Sequence, residues 1–136
     1  MARVQEGQIG TGGGRGRIDP ELIARFQGFC DRMVRVAEVL DRARRSKRIV
    51  EQVMGAGTSV GANLFEADEA LSRKDFAKCL GIAIKELNET RFWLGLIGRQ
   101  NWIKPSRLEP LEREAFELKR ILGAMLTRTV RGSGKR

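Results

Sequence analysis

Histidine and tyrosine are absent from this chain, which also contains only three prolines and two cysteines. Without histidine, the chain cannot form a Ser-His-Asp or Cys-His nucleophile system, a histidine-ligated zinc or haem site, or the Glu-x-x-His pairs of di-iron bundles. The two cysteines lack CxxC spacing. These absences predict a protein that is not an enzyme and that needs no metal or cofactor.

Aromatic residues are also scarce, at 6% of the 136 residues, and long apolar runs are missing. The length predicts one domain, and the low aromatic and proline content favours helices over a β architecture. No apolar run is long enough for a membrane span and no signal-peptide pattern opens the chain, so we expect a soluble cytoplasmic protein. Cys30 and Cys79 fall on apolar faces of different predicted helices and are expected to be reduced core thiols.

Hydrophobic periodicity predicts four helices joined by short turns. The first starts at Asp19-Pro20-Glu21, with an acidic N-cap and proline in the first turn, and runs to about Arg45. Ser46 is the expected N-cap of the second helix, which runs from about Lys47 to Ala70. Four acids of helix one are each expected to pair with an arginine four residues later: Glu21, Asp31, Glu38 and Asp41 with Arg25, Arg35, Arg42 and Arg45.

The third helix is predicted by a capping box at Ser72-Arg73-Lys74-Asp75, and it runs to about Gly98. Leu71 and Phe76 lie where a hydrophobic staple would form. This helix carries more apolar residues than one stripe can bury, so we expect it either to lie centrally in the bundle or to make a second interface. The surplus residues are Ile82, Ile84, Phe92, Trp93 and Leu96.

The fourth helix follows the turn at 101–105 and ends by about Val130. Residues 1–18, rich in glycine, and the basic residues 131–136 are expected to be flexible tails. The sequence therefore predicts an all-α domain over residues 19–130, folded as an antiparallel up-down four-helix bundle.

Residues 55–62, GAGTSVGA, are crowded with small side chains. Each glycine inside a helix costs about 1 kcal/mol relative to alanine, so the run indicates that helix two packs closely against a neighbour.

A nucleophile elbow is matched in sequence by Gly57-Thr58-Ser59-Val60-Gly61. That motif needs a preceding strand and a base, and neither is predicted here. The same residues weakly resemble a dinucleotide-binding fingerprint, but that motif also requires a preceding strand. The glycine run at 12–16 is not a phosphate-binding loop, because it lacks the Gly-Lys-Ser/Thr ending. Asn63 is expected to form a buried hydrogen bond between helices.

The residues that carry a family resemblance are scattered over helices two and three: Gly57-Thr58-Ser59-Val60-Gly61-Ala62-Asn63, Glu66-Ala67, Ser72, Lys74-Asp75-Phe76, Ile82-Ala83, Lys85-Glu86, Glu89-Thr90 and Trp93-Leu94. This pattern resembles the bacterial four helix bundle protein family, also called the 23S rRNA intervening-sequence proteins, most closely over about Val50 to Ile103. The resemblance implies a short up-down bundle that assembles as a ring-like homopentamer. A relative with the same fold is the accessory variability determinant of diversity-generating retroelements, a basic protein that binds nucleic acid and partners a reverse transcriptase.

The charge is strongly asymmetric, with 26 Lys and Arg against 17 Asp and Glu, a net charge of +9 and a pI near 10.5. Such a balance favours a polyanionic partner. Because alternate connections of an up-down bundle share one end, two basic runs free of acids, 44–48 and 99–107, should meet. They supply the candidate nucleic-acid-binding residues Arg44, Arg45, Lys47, Arg48, Arg99, Lys104 and Arg107. Four further candidates, Arg128, Arg131, Lys135 and Arg136, should lie at the other end, near a solvated acidic helix end at Glu66, Asp68 and Glu69.

These patterns support a non-enzymatic homo-oligomeric scaffold that binds RNA, DNA or both. In a narrower form, it would be the accessory subunit of a retroelement reverse transcriptase. Trp102 is the one obvious stacking residue in the basic runs, so backbone recognition is expected rather than sequence readout. The alternative is a protein–protein assembly module with no nucleic-acid role. An enzyme using the small-residue groove would require an activity that depends on Ser59 or Glu66.

Overall fold

The computed structural model describes residues 18–134, which form four helices and no strand. The helices are α1 (Pro20–Arg42), α2 (Lys47–Asp68), α3 (Arg73–Arg99) and α4 (Pro105–Gly134). Short connections join them, and α2 packs against both α1 and α3 while α4 packs mainly on α3. The predicted all-α four-helix bundle is therefore confirmed.

Three polar side chains start the first three helices, as the sequence predicts. Asp19 accepts a hydrogen bond from the N–H of Glu21 (2.9 Å), and the hydroxyl of Ser46 accepts from the N–H of Ile49 (3.4 Å). At the start of α3, the hydroxyl of Ser72 accepts from the N–H of Asp75 at 3.0 Å, which is the first of the two bonds of the predicted capping box. Each cap satisfies an amide that has no partner within its own helix.

The predicted hydrophobic staple is wrong. Leu71 is 90% exposed, so it covers no neighbour, whereas Phe76 is buried. Phe76 lines a groove with Met125 of α4 and therefore packs toward the α3–α4 contact. At the start of α3, the polar cap is therefore present and the staple is not.

The core extends beyond the predicted domain start. Ile18 is buried, and its N–H donates to the carboxylate of Asp68 at 2.8 Å, which joins the chain before α1 to the end of α2. Ile18 therefore belongs to the folded core and not to a tail; the rest of the predicted tail, including the glycine run at 12–16, lies outside the described residues. At the other end, α4 continues to Gly134, past the predicted Val130, and residues 135–136 lie outside the described range.

The first and last helices are joined by an ion pair that sequence spacing did not indicate. The guanidinium of Arg25 donates to both carboxylate oxygens of Glu114, at 2.7 and 2.9 Å. This hydrogen bond lowers the pKa of Glu114 and raises that of Arg25. Among residues 18–134, none of the four pairs expected along α1 forms an ion pair. Such exposed pairs contribute only a few tenths of a kcal/mol, too little to hold two long side chains in one geometry.

The small-residue run brings α2 against α1, as its composition indicates. A Cβ added to Gly57 would lie 2.5 Å from the Cβ of Met33, and one added to Gly61 would lie 2.7 Å from the sulfur of Cys30. A Cβ would fit at either position only if the neighbouring residue shifted. Burial at this contact also raises the pKa of the Cys30 thiol.

The prediction that Asn63 forms a hydrogen bond between helices is wrong. Its side-chain amide donates to the carbonyl of Ser59, one turn earlier in the same helix, at 2.9 Å.

Substitution of these glycines by alanine tests the close contact. Gly57→Ala should destabilise the protein by about 1–3 kcal/mol, because the Cβ of Met33 is fixed to its backbone and cannot move aside. Gly55→Ala is the matched control, since nothing lies within 4 Å of the added methyl, and it should stabilise α2 by up to about 1 kcal/mol. Urea unfolding of both variants measures the two effects. Equal stability changes would contradict the close contact.

Candidate nucleic-acid interface

The connection between α1 and α2 ends α1 with a Schellman motif. The N–H of Arg44 donates to the carbonyl of Asp41 (2.9 Å), and the N–H of Arg45 donates to the carbonyl of Leu40 (3.0 Å). Arg44 has φ of 60°, a left-handed conformation that is usually occupied by glycine in this motif. The motif ends the helix at Arg42, three residues before the predicted end.

The connection between α3 and α4 ends α3 in the same way. The N–H of Asn101 donates to the carbonyl of Gly98 (3.0 Å), and the N–H of Trp102 donates to the carbonyl of Ile97 (3.1 Å). Asn101 also has φ of 60°. Arg45 and Trp102 therefore occupy equivalent positions, each being the residue that follows the left-handed one.

Those two residues contact each other. The guanidinium carbon of Arg45 lies 5.0 Å from the centroid of the Trp102 ring, within the range of a cation–π interaction. Trp102 is half-buried and packs against the hydrophobic core. The contact shows that the two basic connections lie at one end of the bundle, as the sequence predicts.

Seven cationic residues gather at this end, and we call them the hinge-end cluster. They are Arg44, Arg45, Lys47, Arg48, Arg99, Lys104 and Arg107, and all seven are exposed. None of them forms an ion pair with a carboxylate of residues 18–134. The cluster therefore presents exposed cations that form no ion pairs within the described residues, a surface suited to a polyanion.

The other predicted basic residues are not part of this cluster. Arg128 and Arg131 lie near the end of α4, at the opposite end of the bundle, while Lys135 and Arg136 are outside the described residues. Arg128 lines a shallow groove of about 330 Å³ together with Arg73, the second residue of the predicted capping box. The guanidinium of Arg73 lies close to Gly132, and a Cβ added to that glycine would be 2.8 Å from it. The sequence alone did not indicate the contact between Gly132 and Arg73, because the two residues lie on different helices.

The described residues were also compared with the requirements of a metal site, a membrane span and a nucleophile elbow. Within residues 18–134, no three or more Cys, Asp or Glu side chains come together in a way that could hold a metal ion. None of the four helices combines the length and the apolar character that crossing a bilayer requires. The segment that matches a nucleophile elbow lies inside α2, with no strand before it in the described residues.

Comparison with known proteins agrees with this architecture. The family model of the 23S rRNA-intervening sequence protein matches residues 21–124. The chain belongs to this family. The matched region includes the whole hinge-end cluster, as well as Arg73, and ends before Arg128. The resemblance stated from helices two and three is thereby confirmed.

A crystal structure from Bacteroides thetaiotaomicron, of a protein of unknown function from the S23 ribosomal protein family, is similar to this chain. The two are 32% identical with a TM-score of 0.74, and the alignment covers 77% of this chain and 97% of the other. The curated proteins contain no significant match. The comparisons therefore establish the fold and the family.

Arg44 allows stability and binding to be separated. Arg44→Gly should stabilise the protein by about 0.5–1 kcal/mol, because a side chain in the left-handed region is strained and glycine is not. The same change should weaken any binding that uses the hinge-end cluster. Asn101→Gly is the matched control, since it relaxes the equivalent position without removing charge. Thermal unfolding and a nucleic-acid binding titration would check both variants; a loss of stability in Arg44→Gly would contradict the assignment.

Proposed function

We propose that this protein is a non-enzymatic nucleic-acid-binding scaffold and that the hinge-end cluster is its binding surface. One observation carries the proposal: two basic connections, distant in sequence, are joined by the Arg45–Trp102 contact into one exposed cationic surface. RNA is the first ligand to test, because the family is named for a sequence within ribosomal RNA. The proposal accounts for the net charge of +9, which the fold itself does not require.

The cluster would recognise the sugar–phosphate backbone. Arginine and lysine side chains contact phosphate oxygens without reading sequence, and their binding energy comes largely from counterion release. Arg45 lies over the ring of Trp102, so the one aromatic side chain in the two basic runs is already in contact with a cation. We therefore expect affinity that varies little with sequence and falls steeply with salt.

We further propose that the scaffold is a homo-oligomer, and specifically a ring-like homopentamer as the family resemblance implies. Phe65 of α2 is 50% exposed, and Phe92 and Ile82 of α3 are 57% and 37% exposed. The other surplus residues of α3 (Ile84, Trp93 and Leu96) are half-buried. Exposed aromatic and aliphatic side chains on adjacent helices support an interface between copies. Assembly would bring several hinge-end clusters into one particle and strengthen its field.

A narrower form of the proposal gives the scaffold a reverse transcriptase as its protein partner. It is supported by the resemblance to the accessory variability determinant and by the positive charge of the chain. The competing function is an assembly module with no nucleic-acid role, and the exposed faces of α2 and α3 favour it equally well. Binding to nucleic acid separates these two functions.

The hinge-end cluster is tested by changing Arg44, Arg45, Lys47 and Arg48 together to glutamine. Binding to duplex nucleic acid should weaken by a similar factor for all sequences, and the salt dependence should flatten by about 0.9 in log–log slope for each lost phosphate contact. A matched control changes four cations elsewhere on the bundle, Lys74, Lys78, Lys85 and Lys119, and removes the same total charge. If both variants lose affinity equally, the binding follows net charge and not this surface.

Assembly is tested by light scattering at micromolar concentration. The unmodified protein should have the mass of an oligomer, and Phe92→Glu should dissociate it, because a carboxylate cannot be buried unpaired at an apolar interface. Leu71→Glu is the control, since Leu71 is 90% exposed in the α2–α3 connection, and it should leave the mass unchanged. A monomeric mass for the unmodified protein would exclude the ring.

A further inference from the structure

The hinge end lacks an open ring face on which bases could stack. In the two connections and the adjacent helix ends, residues 40–50 and 97–110, the one aromatic residue is Trp102. Its ring packs on the core, and the guanidinium of Arg45 lies over it. The exposed aromatic side chains of the described chain lie elsewhere, on helices: Phe65, Phe92 and Phe116. Proteins that bind single strands commonly stack successive bases on aromatic rings, and this surface offers none.

The cations of this end are concentrated in two short runs. Seven of them come from residues 44–48 and 99–107, and no acid lies in either run. A double helix carries about one phosphate charge per 1.7 Å of its axis, whereas each strand alone carries one per about 3.4 Å. A compact group of cations can therefore contact more phosphates on a double helix than on one strand.

The backbone that carries these side chains is fixed before any ligand arrives. Both connections are closed by paired backbone hydrogen bonds, from Arg44 and Arg45 in one and from Asn101 and Trp102 in the other. The Arg45–Trp102 contact then holds one connection against the other. A preformed array matches a ligand that is itself rigid and regular, and a flexible strand would lose conformational freedom on docking.

We infer that the hinge-end cluster selects double-helical nucleic acid over single strands, with contacts to the phosphates of both strands. This inference rests on the proposed function and adds the structural class of the ligand. RNA and DNA double helices share the phosphate chemistry, and parallel titrations with both distinguish them.

The test compares a labelled RNA hairpin with an unpaired oligouridylate that has the same number of phosphates. Fluorescence anisotropy with the full chain, at several salt concentrations, should give at least about tenfold tighter binding to the hairpin and a steeper salt dependence. Equal or tighter binding to the oligouridylate would overturn the inference and leave the proposed function standing. If neither ligand binds at low salt, the proposed function fails, and this inference fails with it.

Two variants assign the preference to this surface. Changing Arg44, Arg45, Lys47 and Arg48 to glutamine should remove the hairpin preference, and a preference that survives would place the site elsewhere. Trp93→Phe leaves Trp102 as the one tryptophan, so its fluorescence reports on stacking. Saturation with oligouridylate should leave that emission unquenched. Quenching would show bases stacked on Trp102 and would overturn the inference.

Discussion

The structure depends on the close contact between α1 and α2 at Gly57 and Gly61. The connection between these two helices has only four residues, 43–46. A Schellman motif reverses the chain within such a short connection and places one residue, Arg44, in the left-handed conformation. The α3–α4 connection uses the same motif with Asn101, so the short reversal accounts for the strained residue in each case.

The two connections at this end of the bundle bring seven cations together, and this arrangement does not stabilise the fold. Like charges held close together repel, and the two basic runs contain no acid to offset that repulsion. Arg45 is partly compensated by the ring of Trp102, but the other cations of the cluster extend into solvent. A strained arginine and a dense group of exposed cations both disfavour the folded chain alone. Binding of a polyanion would remove the repulsion, and we regard this as the physical basis of the proposed function.

The local features of this fold could be predicted from the sequence, and the contacts that depend on exact tertiary geometry could not. The caps at Asp19, Ser46 and Ser72 follow from hydrogen bonds to amides two or three residues away. The meeting of the two basic runs followed from chain reversal alone. By contrast, the burial of Ile18 depends on the distant Asp68. The cluster could be predicted because each basic run is short and free of acids. The Arg45–Trp102 contact could not be predicted, because the distance between the two side chains depends on how the two connections face each other.

The pair of Arg25 with Glu114 makes one side of the bundle sensitive to acid. Among neighbouring helices, α1 and α4 share the smallest contact, and this pair spans it. Because the pKa of Glu114 is lowered in the folded protein, the pair stabilises the fold above the ordinary carboxyl range and is lost as the pH falls through the lowered value. Protonation of Glu114 therefore removes the side-chain link between α1 and α4 and leaves the buried apolar packing of the helices in place.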